Sequence, residues 1–305
     1  MDTIQTNKSF RIEEQSAPAP FTSDFVISRD GTRIDYLQLG HGPGVVMLHG
    51  AMESARSHLG LASGLTDAFT IYLPERRGHQ LGVPFVNEYS MQKEIEDLGA
   101  LLDRTGARNI FGVSAGGLIC LQAALDLPSV NKVAVYEPAL IVNGSASIGF
   151  LTRYDQEISQ GKTAAALVSG MKGAQLGPPI FNAIPRWLLE SLTALTMKQE
   201  EKKAGAGDTT MRSLAPTLHY DFQLVAEMAE MQKRFGSVQP DVLLLGGNKS
   251  PAWLKIALDA LARTLPHVQR IEFPGLDHGG SSDLSSTNRS GQPEVVAAEL
   301  RRFFV

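Results

Sequence analysis

Gly112-Val113-Ser114-Ala115-Gly116-Gly117 follows the apolar run Asn109 to Val113, which reads as a strand, and precedes Leu118 to Leu127, which reads as a helix. A serine on so tight a strand-to-helix turn needs small neighbours, because backbones approach there so closely that side chains two positions either side would clash. Glycine at 112 and 116 meets that need. The helix that opens at the turn aims its free N–H groups and the positive end of its dipole at the same place, where an oxyanion forms during acyl transfer. Gly-x-Ser-x-Gly by itself recurs by chance in turns; the strand before it and the helix after it give it meaning. The stretch therefore predicts a parallel strand leading into a helix, with Ser114 as the nucleophile.

The same rhythm extends outward in both directions. Val45 to Leu48 is a short apolar run that fits a strand buried on both faces. Phe69 to Leu73, Lys132 to Tyr136, Val242 to Leu245 and Val268 to Phe273 read as further strands. Between them lie helical patterns at Met91 to Thr105, where Ile95, Leu98, Leu101 and Leu102 share a face, at Ala252 to Thr264, and at Pro293 to Phe304. Such alternation predicts a mostly parallel sheet of about eight strands with helices on both faces. At its start, Phe25 to Ser28 and Arg33 to Leu39 flank Asp30-Gly31, a strong hairpin signal, so the sheet should begin antiparallel.

From about residue 139 to 235 the rhythm stops. Helical patches at Trp187 to Met197 and Phe222 to Phe235 are separated by Gly-rich and Pro-rich breaks at Gly170 to Pro179 and Ala204 to Asp208. The expected organisation is an N-terminal arm (1–22, with Ser16-Ala17-Pro18-Ala19-Pro20), a core from 23–138 and 236–305, and a helical cap from 139–235 inserted after the sixth strand.

The 305 residues are 43% hydrophobic and 20% charged, as in ordinary globular proteins, and a net charge of -4 offers no attraction for nucleic acid or an anionic membrane. The first eight residues lack the apolar run of a secretory signal, and no stretch has eighteen uninterrupted apolar residues, so the expected location is cytoplasmic. Cys120 stands alone, which excludes an intramolecular disulfide and a thiolate metal cluster; it fits the interior of the helix behind Ser114. The expected partner is a small-molecule substrate. Oligomeric state is left open.

Three further segments carry chemistry. His49-Gly50-Ala51-Met52 follows the strand ending at Leu48; its glycine permits a sharp turn, and the Ala51 N–H can join that of Ala115 as a pair of oxyanion donors. His49 itself reads as structural, a strand-end histidine that fixes a loop. Phe273-Pro274-Gly275-Leu276-Asp277-His278-Gly279-Gly280 places a histidine on a Gly-flanked loop after the last strand, and of the seven histidines only His278 has both loop and strand order suited to a general base. An acid must orient that ring. The usual place, Gly246-Gly247-Asn248-Lys249-Ser250, holds no carboxylate, so Glu137 after the strand Lys132 to Tyr136 is the natural substitute; the alternative is a Glu that caps or pairs with an arginine. Asp277 adjoins His278, but neighbours on a loop seldom face each other.

Leu48-His49-Gly50, Pro74-Glu75-Arg76-Arg77-Gly78-His79, Gly112 to Gly116 and Gly275 to His278, in that order, resemble the α/β-hydrolase superfamily from about residue 25 to the end. The resemblance implies an eight-stranded mostly parallel sheet, a helical cap over the site, and no cofactor or metal. It also implies that Arg76-Arg77-Gly78-His79 is a structural turn. Serine at the elbow argues against haloalkane dehalogenases and epoxide hydrolases, which use aspartate there. The expected activity is hydrolysis of a small, fairly apolar carbonyl substrate (ester, thioester, lactone or carbon–carbon bond). Met52 and the cap residues Phe150, Tyr154, Phe181, Trp187, Leu188 and Phe222 are candidates for the pocket wall. A lyase, cyclase or acyl transferase on the same fold, or a silent ligand-binding protein, are the competing readings.

Overall fold

The computed structural model describes residues 19–79, 88–176, 179–205, 208–285 and 288–305. The apolar runs become strands β1 (Phe21–Ile27), β2 (Arg33–Gly40), β3 (Gly44–Leu48), β4 (Thr70–Pro74), β5 (Asn109–Val113), β6 (Lys132–Tyr136), β7 (Asp241–Gly247) and β8 (Val268–Phe273). They form one sheet in the order β1-β2-β4-β3-β5-β6-β7-β8. β2 is antiparallel to both its neighbours and the remaining pairings are parallel, so β2 alone runs against the rest. The hairpin between β1 and β2 closes where Asp-Gly predicts it. Gly31 takes φ +87, its N–H donates to Ser28 O at 2.9 Å, and Ser28 N–H donates to Thr32 O at 2.8 Å. β1 starts at Phe21, so Phe21 and Thr22 of the expected arm pair with Leu39 and Gln38; residues 1–18 lie outside the described residues.

Helices α1 (Leu59–Ser63), α2 (Met91–Thr105) and α3 (Ala115–Asp126) precede the insertion; α4 (Leu151–Ser159), α5 (Thr163–Gly173), α6 (Arg186–Lys203), α7 (Met211–Leu214) and α8 (Leu218–Met228) make it up; α9 (Ala252–Thr264) and α10 (Pro293–Phe304) follow. Successive side chains of a strand point to opposite faces, and the central strands show it. Val133 and Val135 join the core under α2, α3 and α9, whereas Ala134 and Tyr136 join the core under α1 and α10. Both cores are closed to water, each fully buried aliphatic side chain contributing about 1.5–3 kcal/mol.

Two physical features position a site. β3 leads outward to β4 on one side and β5 to β6 on the other, so the chain changes direction between β3 and β5, and the crevice at their carboxyl ends is where such sheets bind ligands. Above that crevice sits the insertion between β6 and β7, with a small core of its own around Tyr154, Ala166, Met197, Leu218 and Phe222, against which Ala51 and Met52 pack. The turn Arg76-Arg77-Gly78-His79 ties cap to core. Arg76 Nη1 meets Asp221 Oδ1 of α8 at 2.8 Å, His79 Nε2 meets Asp221 Oδ2 at 3.1 Å, and Arg76 Nη2 meets Glu94 Oε1 at 2.9 Å. A Cβ at Gly78, which has φ +79, would sit 2.6 Å from the Tyr220 ring.

One expected helix, Phe222 to Phe235, is divided. α8 begins four residues earlier, after Pro216, and stops at Met228; Glu230 then adopts φ +61 with its N–H on Ile141 O, and a 3₁₀ turn Gln232–Ser237 follows. The Glu230 carboxylate accepts the N–H groups of Asn143 and Gly144, so a long-range contact sets the break. Among the described residues no helix is long and apolar enough to cross a membrane.

Candidate active site

Ser114 stands between β5 and α3 with φ +53 and ψ -116, a conformation that costs a non-glycine residue of order 1–3 kcal/mol. Hydrogen bonds hold it there. Its N–H donates to Tyr136 O at 3.0 Å, and its carbonyl accepts from Leu118 and Ala139, each at 3.2 Å. The neighbouring glycines are needed for close approach: a Cβ at Gly112 would lie 2.3 Å from Gly116 O, and one at Gly116 would lie 2.5 Å from Leu48 O. The turn thus exists because β3 and α3 touch through bare backbone. Behind it, the Cys120 thiol is fully buried and pushed far up by burial.

Ala51 and Ala115 border the same cavity as Ser114. Among the described residues neither N–H has a backbone or side-chain acceptor; for Ala115 this follows from its place as the first residue of α3. His49 lies below, away from the cavity. Its Nε2 accepts the Arg76 N–H at 3.2 Å, its Nδ1 meets Gly50 O at 3.0 Å, and burial first, then the charges of His79 and Arg76, hold it well below the ordinary histidine range.

Glu137 follows β6 with φ +46 and no exposure to water. Its N–H donates to Leu245 O at 2.9 Å, Oε1 accepts the Gly247 N–H at 2.7 Å, and Oε2 lies 2.8 Å from His278 Nδ1. The two glycines that end β7, Gly246 and Gly247, make room for a carboxylate arriving from β6. A Cβ at Gly246 would stand 2.9 Å from Glu137 Oε1. Because a carboxylate only accepts, Nδ1 carries the hydrogen and Nε2 is left as an acceptor. Burial pulls the His278 ring down, while the Glu137 hydrogen bond and charge, followed by the charges of Glu53 and Asp277, outweigh it and raise the ring above its usual value. Asp277 does not face its neighbour's ring. Its Oδ1 accepts from Gly279 N–H and Ser290 Oγ, and its carbonyl accepts from Tyr136 Oη at 2.7 Å, so it shapes the loop.

Ser114 and His278 line one cavity of about 340 Å³. The Ser114 hydroxyl makes no hydrogen bond among the described residues, and in unliganded sites such contacts commonly tighten only with substrate. Met52, Phe150 and Phe222 line the cavity, and Ile141, Met171, Leu214 and Leu218 extend its apolar wall.

Four expected pocket residues stand elsewhere. Tyr154 is fully buried inside the cap, its hydroxyl donating to Ala215 O, because a phenol in an apolar core needs an acceptor. Trp187 is 67% exposed, since α6 turns Leu189 and Met197 inward and leaves Trp187 on the outer face. Phe181 and Leu188 are also outside the lining. Trp253 of α9 lines the cavity instead, its Nε1 donating to Ala174 O at 3.0 Å. No local signal marks it, because α9 reads as an ordinary core helix. Among the described residues no cluster of three His, Cys, Asp or Glu side chains is arranged to hold a metal ion.

Comparisons with known proteins bear on the family and the fold. A profile of the alpha/beta hydrolase family matches residues 45–299. Pimeloyl-(acyl-carrier protein) methyl ester esterase of Stenotrophomonas maltophilia (strain K279a) is 23% identical over 278 residues, 87% of this chain and 93% of its own. A solved alpha/beta hydrolase from Sphaerobacter thermophilus DSM 20745 aligns with a TM-score of 0.73 and 27% identity, covering 92% of this chain and 100% of that one. Naproxen esterase of Bacillus subtilis shares the fold at a TM-score of 0.63 and 18% identity, over 94% and 93% of the two chains. With that profile running from β3 through most of α10, the chain belongs to the alpha/beta hydrolase family.

Proposed function

We propose that the protein hydrolyses a small, fairly apolar ester or related carbonyl compound, with Ser114 as nucleophile, His278 as general base and Glu137 as the orienting acid. The observation that carries the reading is the 2.8 Å contact between His278 Nδ1 and Glu137 Oε2, on a ring that shares a cavity with Ser114. Nε2 takes the Ser114 proton as the oxygen attacks the carbonyl carbon, and the Ala51 and Ala115 N–H groups receive the oxyanion, each worth on the order of 3 kcal/mol. The imidazolium, its charge balanced by Glu137, returns the proton to the leaving alcohol. Water, deprotonated by the same ring, then releases the acid and frees Ser114.

Support for the substrate class comes from the cavity, which is walled mainly by aliphatic and aromatic side chains, with Ser147, Thr193, Glu200 and Asp221 as polar members, and falls within the size that holds small ligands, roughly 300–1,000 Å³. The Stenotrophomonas relative is a methyl ester esterase, which favours an ester over the other carbonyl bonds. In this reading residues 139–235 are the cap that excludes water, 23–138 with 236–305 are the core, and a lone buried thiol at Cys120 suits a cytoplasmic protein. A fluorophosphonate probe tests the assignment. Labelling of the wild type that vanishes in Ser114→Ala is expected; absence of labelling, or labelling retained in the variant, would refute it.

A further inference from the structure

The loop after β3 carries a carboxylate that the proposed chemistry leaves unused. Glu53 Oε2 accepts the Gly50 N–H at 2.7 Å and lies 3.2 Å from His58 Nε2, and Oε1 accepts the Ser282 hydroxyl. One side chain therefore joins three segments: the turn that presents the Ala51 N–H, the 3₁₀ turn Ala55–His58, and the loop that carries His278. Asp283 strengthens the junction. Its carboxylate accepts the N–H groups of Gly60 and Leu61 at 2.8 and 3.3 Å, and its N–H donates to Ser57 O at 3.0 Å. Gly50 separates the carboxylate from the nucleophile, since a Cβ there would stand 3.1 Å from Glu53 Oε2 and 3.1 Å from Ser114 Cβ.

We propose that Glu53 is a positioning residue that clamps the Gly50–Ala51 turn to the His278 loop, setting the spacing between oxyanion donor and base while its negative charge favours the imidazolium formed in turnover. This rests on the assignment of Ser114 and His278 above. The alternative, a carboxylate that merely fills a polar gap, does not account for its reaching both active-site loops at once.

The electrostatics agree with the geometry. Burial works against the Glu53 charge, but His58, Ser282 and the Gly50 N–H outweigh it and hold the carboxyl down to about 2, so it is ionised throughout the working range. Three carboxylates act on the His278 ring: Glu137 from the turn after β6, then Glu53 from the loop after β3, and Asp277 from its own loop. The group opposing Glu53 is His58, which is itself raised: burial pulls it down, and Glu53, then Asp283, lift it.

The test uses the full-length protein with p-nitrophenyl butyrate. Glu53→Gln should lower kcat about tenfold or more with KM little changed, the effect of loosening a preorganised site. It should also move the acid limb of the kcat/KM profile to lower pH by about half a unit, because the ring loses a stabilising charge. Ser282→Ala cuts only the contact to the histidine loop and keeps the charge; it should lower kcat and leave the acid limb in place. Should Glu53→Gln fail to fold, Ser282→Ala decides alone, a wild-type kcat overturning the clamp. Wild-type kcat in both variants, or an unmoved acid limb in a folded Glu53→Gln protein, also overturns it. Ser114→Ala separates the two levels: turnover retained there removes the site assignment and this proposal together, whereas an inactive Ser114→Ala beside a fully active Glu53→Gln removes the clamp alone.

Discussion

Replacing Glu137 by glutamine keeps the shape of the side chain and removes one of its two acceptors. In the native arrangement both oxygens accept, Oε1 from the Gly247 N–H at 2.7 Å and Oε2 from His278 Nδ1 at 2.8 Å. A glutamine carbonyl can satisfy only one of these donors. If it turns to Gly247, its NH₂ faces Nδ1, the ring must carry its hydrogen on Nε2, and that tautomer cannot take a proton from Ser114. If it turns to His278, the NH₂ opposes the Gly247 N–H in a site with no access to water, and an unsatisfied buried donor costs about 1–3 kcal/mol. Either way the imidazolium loses its counter-charge. Enzymes of this chemistry lose about 10⁴-fold in kcat when the orienting carboxylate becomes an amide, so we expect a loss of about 10²–10⁴-fold for Glu137→Gln, with KM little changed. Stability should fall by about 1–3 kcal/mol, little enough for the protein to stay folded. Steady-state hydrolysis of p-nitrophenyl butyrate reads the first quantity and urea unfolding the second. A variant that folds and turns over within threefold of the wild type would remove Glu137 from the mechanism.

Gly246→Ala should act on the same carboxylate from the other side: its Cβ would stand 2.6 Å from Leu258 Cδ1 and 2.9 Å from Glu137 Oε1. Overpacking of about 1–3 kcal/mol and a kcat loss of about tenfold are expected, and a wild-type rate would show that the carboxylate has slack. Removing Asp221 leaves Arg76 and His79 buried without their cap partner, so Asp221→Ala should cost about 3–5 kcal/mol by urea unfolding; a loss under about 1 kcal/mol would mean the cap is held by packing alone. The raised pKa of His278 has two opposite consequences with pH. Activity requires the neutral ring, so kcat/KM should fall with an apparent pKa above 6.5, and an acid limb below 6.5 would contradict the assignment. The stability contributed by the charged His278–Glu137 pair is complete below 6.5, the unfolded value, and is lost as pH rises through the folded value. The gap in melting temperature between wild type and His278→Gln should therefore narrow on going to alkaline pH, and a gap that widens would refute this.

The sheet was legible in the sequence because its signals are local. An apolar run of five residues bounded by turns, glycines two positions either side of a serine, and Asp30-Gly31 between two extended runs each state a constraint that the backbone obeys wherever the segment lies. Glu137 could be singled out for a similar reason: the stretch after β7 offers no carboxylate, and the end of β6 is the adjacent strand end. What periodicity does not encode is which way a side chain of the insertion faces once five helices pack against one another. α6 turns Leu189 and Met197 inward and Trp187 out, Tyr154 is drawn into the cap by the carbonyl of Ala215, and Trp253 reaches the cavity from α9, a helix that packs on the sheet rather than within the insertion. The contact between Glu137 and His278 spans 141 residues, and that between Glu53 and Ser282 spans 229. Such polar contacts follow from the folded path of the whole chain, since a hydrogen bond depends on fractions of an ångström that only the assembled packing supplies.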